Sequence, residues 1–360
     1  MQRRLLNLVM MDMRAGGSYW LSRMKPEENL FYSSVKEAVV QDSLSRRARG
    51  KTMPESTLEL LSPMIRFRSS RVLNSTLAFL PFYGLPGSRV VVADSGGGSL
   101  LYDAEDNSAE ILPRINVGGK WPTPISLCVT DPKKPVRRDA LYAINRSNSG
   151  SFKSLAYCSA AEVMAWRWRD LPDPPYLSGE EDLAILSHTL LPDGKTICFS
   201  GAFGTYCFDT DSQEWAKAGT WKLPFGGHAP QVPELYNLYF GFHENNPDSI
   251  VALELPSPLH GADVPPEVLL EWRGFCPPHE DEWSLMESSL LYLGNYRFCI
   301  AKWFSLYNGS PFDGEDLVDM AATLTGVEIV NGQGNKEKLQ MVRHKTRTFI
   351  FEHRSLESVL

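Results

Sequence analysis

A chain of 360 residues that is 43% hydrophobic and 11% aromatic carries enough apolar side chain for a substantial core, which excludes disorder of the whole. A formal net charge of −7 at pH 7 excludes a general nucleic-acid-binding surface, which would be basic over at least one face. No apolar run approaches the ~20 residues that a transmembrane helix needs, so no membrane partner is expected.

In chain order, Arg4 to Met11 and Gly17 to Met24 read as two strands joined by a turn at Arg14 to Gly17. Arg3-Arg4 before an apolar run has the look of a secretory signal, but Asn7 and Asp12 interrupt the run and no small-residue cleavage site closes it, so a first strand is the expectation. Ser34-Val-Lys-Glu37 has capping-box spacing and opens a helix near residues 34–47, in which Val35, Ala38, Val39 and Leu44 share an apolar side. That helix runs into the basic cluster Arg46 to Lys51, and residues 34–62 together read as an insertion within the first blade, with the next strand at Met64 to Phe67.

Thr76 to Tyr83, Arg89 to Asp94, Ser99 to Asp103 and Ala109 to Leu112 make a complete four-stranded set. The glycine-rich Asp94 to Ser99 lies between two of these strands, opens no helix and lacks a P-loop lysine, so it reads as a hairpin turn and not a phosphate cradle. The third set runs from about Ile125 to Leu171. Its first hairpin loop, Asp131 to Arg138, is a compact basic protrusion, and Lys133, Lys134, Arg137 and Arg138 are the candidate contacts to an acidic partner.

The fourth set begins near Leu183, turns at Leu191-Pro-Asp-Gly-Lys195, and continues through Gly204 to Phe225. There Tyr206 and Phe208 alternate with polar or small neighbours, Asp209 to Ser212 supplies a turn, and Leu223-Pro224 ends the next strand because proline donates no ladder hydrogen bond. Equivalent Leu-Pro stops at Leu112 and Leu171 give a repeat of roughly 50–60 residues, close to a kelch blade. Strands at Leu238 to Phe242, Ile250 to Leu255 and Val268 to Trp272 build a fifth set; Ser288 to Leu293, Tyr296 to Phe304, Ala322 to Val330 and Leu339 to Phe351 build a sixth. The expectation is an all-β fold: one β-propeller domain over residues 1–360, of about six four-stranded kelch-like blades with the helical insertion near residues 34–47. A C-terminal strand pairs with the N-terminal ones to close the ring. Trp166, Trp168, Trp215, Trp221 and Trp272 fall at matching outer-strand positions and read as packing between blades.

Six scattered cysteines, with no C-x-x-C pair, read as buried reduced thiols of a cytoplasmic or nuclear protein, in which the sequons at Asn74, Asn145 and Asn308 carry no weight. None of the seven histidines has metal-ligand spacing. His279 to Glu282 and Asp313 to Asp316 read as solvated acidic loops, and no nucleophile elbow, Rossmann or Walker pattern occurs. No catalytic residue, cofactor or metal is therefore assigned.

With these residues in place, the chain resembles the large plant family, expanded in grasses, that carries the domain of unknown function 1618. The resemblance rests on Arg3 to Val9, Leu100 to Asp103, Gly204 to Thr210 with Glu214-Trp215, Trp221 to Phe225, Val232 to Leu235 and Arg297 to Lys302. It implies an architecture like kelch and F-box-associated propellers, with no reaction and no catalytic residues to carry over. The function expected is a non-enzymatic protein-interaction module that binds another protein through rim loops, including Asp131 to Arg138 and Glu280 to Glu282. A small-ligand binder or enzyme with its site at a central channel is the alternative from a different class.

Overall fold

The computed structural model describes residues 5–12, 14, 17–47, 64–69, 76–82, 89–115, 124–131, 139–146, 151–160, 163–178, 183–256, 259, 264–275, 283–307, 317–331, 334–351 and 354–360. Strands β1 (Leu6–Asp12) and β2 (Ser18–Met24) precede helices α1 (Pro26–Leu30) and α2 (Val35–Arg47), and β3 (Ile65–Arg68) follows them. Next come β4 (Leu77–Phe82), β5 (Arg89–Asp94), β6 (Ser99–Asp103) and β7 (Ser108–Leu112), then β8 (Pro124–Thr130), β9 (Asp139–Asn145), β10 (Phe152–Ala160) and β11 (Val163–Asp170). A third group is β12 (Ile185–Leu190), β13 (Thr196–Gly201), β14 (Gly204–Asp209) and β15 (Glu214–Gly219), with the short β16 (Phe225–His228) and β17 (Gln231–Val232) after it. The chain continues through β18 (Leu238–His243), β19 (Asn246–Leu253) and β20 (Val268–Arg273). Its last strands are β21 (Trp283–Gly294), β22 (Arg297–Tyr307), β23 (Leu317–Asn331), β24 (Leu339–Phe351) and β25 (Arg354–Val359).

The strands form blade-like antiparallel meanders, and the fold is all-β of the β-propeller class. Local chemistry explains the meanders. In β8 the buried residues are Ile125, Leu127 and Val129, with half-buried or exposed residues between them, the period-two pattern of a strand facing one core. Asp209 ends β14 as the sequence implies: its Oδ1 accepts from the backbone N–H of Asp211 at 2.8 Å and of Ser212 at 2.9 Å. The Asp94 to Ser99 segment is a hairpin, with Gly97 at φ +87° and its N–H donating to the Asp94 carbonyl at 2.9 Å.

Contacts divide the chain into two compact units. The first comprises Met1–Phe67, Val232–Leu253 and Val268–Leu360. Here Leu6, Leu8, Met10, Leu356 and Val359 pack with Leu291, Trp303, Leu324 and Phe349, joining the β25-β1-β2-β3 sheet to the β21-β22-β23-β24 sheet. On its other face the latter sheet meets β18–β20 through Phe298, Ile300 and Val327 against Leu238, Phe240 and Ile250. The second unit comprises Arg68–Gln231 and Glu254–Glu267. Leu80, Phe82 and Val91 of the β4–β7 sheet pack on Leu141, Leu155 and Trp166 of the β8–β11 sheet, whose opposite face, through Ile125, Ile144 and Phe152, packs on Ile197, Phe199 and Phe208 of the β12–β15 sheet. The tryptophans act as packing residues: Trp166 sits edge-on to Phe82 at 5.8 Å, Trp215 packs among Phe152, Phe199 and Phe208, and Trp272 stacks on Phe240 at 6.0 Å.

β25 pairs antiparallel with β1, Leu8 opposite Val359 and Met10 opposite Leu356, so the chain's last strand completes its first sheet as expected. Three expectations need correction. Val39 and Leu44 of α2 are exposed, because only Ala38 and its neighbours on one narrow side of the helix reach the underlying sheet. Helix α1 was not foreseen; its start is Pro26, whose missing N–H costs nothing at the first helical position. Cys198 and Cys207 are directly opposed across β13 and β14, with Cα atoms 4.3 Å apart, and form a disulfide, whereas Cys128 and Cys158 are free thiols. The strand register brings the paired cysteines together, a relation that no C-x-x-C spacing announces.

Because Leu356 is 3% exposed and lies in the core that β25 closes, Leu356→Ala should lower unfolding free energy by about 2–5 kcal/mol in a denaturant titration.

Candidate functional site

Within the first unit, the helical insertion is mounted on β22, β23 and β24 by a set of charged and aromatic contacts. Glu27 and Glu28 occupy the first turn of α1, where the helix dipole favours negative charge. At its other end Arg347 Nε donates to the Asn29 carbonyl at 3.0 Å and Lys345 Nζ to the Glu28 carbonyl at 3.3 Å, so cations from β24 satisfy carbonyls that a short helix leaves unpaired. Leu30 and Phe31 then enter the core. The chain can come this close only because residue 326 is glycine: a Cβ there would lie 2.3 Å from the Leu30 carbonyl oxygen.

Arg297 joins three elements. Its Nη1 donates to Glu27 Oε2 at 2.5 Å, its Nε to Glu328 Oε2 at 2.9 Å, and its guanidinium lies over the Phe31 ring at 4.7 Å. His344 Nδ1 accepts from the Tyr32 N–H at 3.2 Å, which places the proton of the neutral ring on Nε2, 3.3 Å from Glu328 Oε2. Burial pushes the Glu328 carboxyl up, but His344 and Arg297 outweigh it and hold the group below the ordinary glutamate value of 4.5.

Helix α2 starts with a modified capping box. Ser34 Oγ accepts from the Glu37 N–H at 3.2 Å, while Glu37 Oε2 accepts from Ser33 Oγ at 2.6 Å and Ser33 N at 3.2 Å, one residue earlier than the usual return bond. Farther along, Asp42 Oδ1 accepts from Arg343 Nε at 2.8 Å and Nη2 at 2.6 Å; both side chains are largely withdrawn from solvent. This pair fixes the helix and turns its other side outward, where Val39, Val40 and Leu44 are 48%, 57% and 52% exposed.

The sequence-designated residues Lys133, Lys134, Arg137 and Arg138 lie outside the described residues. The base of their loop is described. Asp139 Oδ1 accepts from Thr130 Oγ1 at 2.7 Å, and Arg89 Nη2 of β5 lies 3.5 Å from Asp139 Oδ2, so the hairpin that carries the loop is tied both to itself and to the neighbouring sheet. The acidic loops at His279 to Glu282 and Asp313 to Asp316 also lie outside the described residues, as does the basic run beyond Arg47. Sequence reasoning missed the anchors Arg297, Glu328, Arg343 and His344; a polar stretch inside a strand, Arg343-His-Lys-Thr-Arg347, was the one local signal. Among the described residues, no group of three or more His, Cys, Asp and Glu is placed to hold a metal ion, and no helix is long and apolar enough to cross a membrane.

A family model described as a protein of unknown function, DUF1668, matches residues 3–350. No curated protein matches the chain. Among solved structures, the WD40 domain of SCAP from fission yeast is similar at 11% identity and a TM-score of 0.34, covering 99% of this chain and 89% of that one. The β-propeller domain of Cps50 (Swd1) from Myceliophteria thermophila gives 9% identity and a TM-score of 0.41, covering 96% of each chain. A putative 6-phosphogluconolactonase from Bacteroides fragilis gives 11% and 0.37, covering 97% and 98%.

The Glu328 contribution to stability is present above the ordinary glutamate value of 4.5 and is lost as pH falls through its depressed folded value. In acid titrations followed by circular dichroism, Glu328→Gln should be less stable than wild type at neutral pH, and the difference should shrink toward acid. Gly326→Ala should displace α1 and raise amide exchange over residues 26–32, with the strands of the second unit unchanged.

Proposed function

The chain belongs to the DUF1668 family of proteins of unknown function, and from that premise we propose that it is a non-enzymatic protein-interaction module. The observation that carries this reading is the outward face of α2. A helix able to roll on the sheet would bury Val39, Val40 and Leu44; here the Arg343–Asp42 pair and the α1 anchors hold them in water. Covering such residues recovers roughly 25 cal/mol for each Å² of apolar surface, which is the form of energy that protein association uses. The occupant is an apolar patch of a partner protein.

The loop carrying Lys133, Lys134, Arg137 and Arg138 is a second contact in the same reading. Its four cations suit an acidic surface, and the Thr130–Asp139–Arg89 ties supply a fixed base. A single domain over residues 1–360 belongs to this reading too, as does the plant setting implied by the resemblance to the family with domain of unknown function 1618.

The test is quantitative affinity purification from the native tissue with three forms of the full chain: wild type, Val39→Ser/Val40→Ser/Leu44→Ser, and the variant with all four loop cations changed to Ser. Exposed sites change stability by only about 0.5 kcal/mol, so both variants should unfold like wild type. Specific partners should be lost from the helix variant and weakened, in a salt-dependent way, in the loop variant. Identical partner sets in all three would overturn the reading.

A further inference from the structure

The Cys198–Cys207 bond lies among a set of clamps on the segment that follows β15. β13 and β14 are joined by Ala202-Phe203, with Gly201 opposite Gly204 and Cys198 opposite Cys207. Alternation along the two strands sends Ile197, Phe199, Tyr206 and Phe208 to the core shared with the β8–β11 sheet, and Cys198, Ser200, Thr205 and Cys207 to the other face. On that second face Thr189 of β12 stands opposite Cys198, and Ser187 opposite Ser200. All six of these side chains are buried.

Each hydroxyl of this block holds backbone between residues 221 and 229. Ser187 Oγ donates to the Phe225 carbonyl at 2.5 Å, Thr189 Oγ1 to the Ala229 carbonyl at 2.7 Å and Thr205 Oγ1 to the Trp221 carbonyl at 2.8 Å. Ser200 Oγ accepts from the Leu223 N–H at 3.0 Å and lies 2.9 Å from Thr205 Oγ1. Because the Thr205 proton goes to Trp221, the Ser200 proton goes to Thr205, and the two hydroxyls form one chain from Leu223 to Trp221. That clamp is divided between two strands, Ser200 on β13 and Thr205 on β14, so separating the strands breaks it. The disulfide, two residues from each hydroxyl, opposes the separation.

One backbone serves both redox states. Cα atoms 4.3 Å apart match the spacing of about 4.5 Å in a non-hydrogen-bonded antiparallel pair, so the ladder alone sets the two sulfurs face to face. A thiol is a small hydrophobe with only a weak donor, so opening the bond leaves neither a charge nor a strong polar group in the core. What differs is freedom: the oxidised chain closes a loop over a sequence separation of 9, and the reduced chain does not. Cys198 is 0% and Cys207 4% exposed, so exchange with an external thiol waits for the hairpin to open.

We infer that Cys198 and Cys207 form a reversible redox lock: oxidised, the pair holds residues 221–229 on the sheet; reduced, it lets them detach while the fold persists. The oxidant is a low-molecular-weight disulfide of the glutathione class. One cysteine thiolate attacks it and expels a first thiol. The second cysteine thiolate then attacks the protein sulfur of the mixed disulfide and expels the other. The two cysteines together lose two electrons and two protons, and the small disulfide becomes two thiols. A thiol of the same class reverses both steps.

The full chain is equilibrated with reduced and oxidised glutathione at ratios from fully reducing to fully oxidising, and the linked Cys198–Cys207 peptide is quantified by mass spectrometry. The linked fraction should fall reversibly as the ratio becomes reducing. In the reduced form amide exchange across residues 221–229, the Leu223 N–H included, should be about tenfold faster, with exchange over α2 and the circular dichroism unchanged. The unfolding equilibrium constant should rise about thirtyfold on reduction. Cys198→Ala/Cys207→Ala should show the fast exchange in every buffer, and the wild type compared with itself in two redox states carries the test if that variant fails to fold. A bond absent at every ratio, a bond that about 10 mM reduced glutathione leaves closed at equilibrium, or equal exchange in the two states overturns the inference.

Discussion

β1 hydrogen-bonds to β25 across nearly the whole length of the chain, with Asn7 and Leu360 exchanging backbone N–H and carbonyl at 2.8 Å in both directions. This pairing removes an edge from β1 that would otherwise present unpaired donors and acceptors to other chains. It also brings Leu356 and Val359 onto Leu8 and Met10, completing the core against the β21–β24 sheet. The core of the first unit builds on it, because the same strands that β25 completes carry Leu6, Leu8, Met10 and Met24 onto the β21–β24 sheet.

The insertion is the next consequence. A helix of five residues and one of thirteen, only a few of whose residues face the protein, have little stability of their own. What holds them is external: Arg297 between Glu27 and Glu328, His344 against Tyr32, Arg343 on Asp42, and the carbonyl approach that Gly326 permits. Each link that reaches the helices joins residues about 270 to 320 positions apart, while Arg297 and Glu328 are only 31 apart. Polar anchoring of this kind fixes position without consuming the outer face of α2, and so leaves the apolar side chains there for a partner. The second unit uses a different logic. Its sheets are joined by aromatic-rich cores, and the Ser187 and Thr189 hydroxyls of β12 bond to the Phe225 and Ala229 carbonyls of the neighbouring segment.

Much of the blade grammar was legible in the amino-acid sequence. Alternation in segments such as Ile125 to Val129, the Asp209 turn and the stops at Leu112 and Leu171 are local, and the local rule that sets them is also the one the fold obeys; Leu223-Pro224 is not such a stop, because β15 already ends at Gly219 and leaves Trp221 outside the strand. The wide tryptophan spacing pointed to packing for the same reason. The site was barely legible. The basic loop at Lys133 to Arg138 stands out as composition, and composition is blind to whether a helix side is covered: Val39 and Leu44 match an inward-facing pattern, yet the narrow contact of α2 leaves them outside.

The sequence by itself determined the all-β class, the strand order within each meander, the turns and the helix start at Ser34, because each of these rests on side chains a few residues apart. Tertiary structure alone decided the Cys198–Cys207 disulfide, the seating of α1 on Gly326, the exposure of α2 and the stacking of His188 on His228. Those outcomes turn on register and on which distant faces meet. Register depends on the pairing of whole strands, and buried charge depends on partners that arrive from the far end of the chain, neither of which any short window of sequence contains.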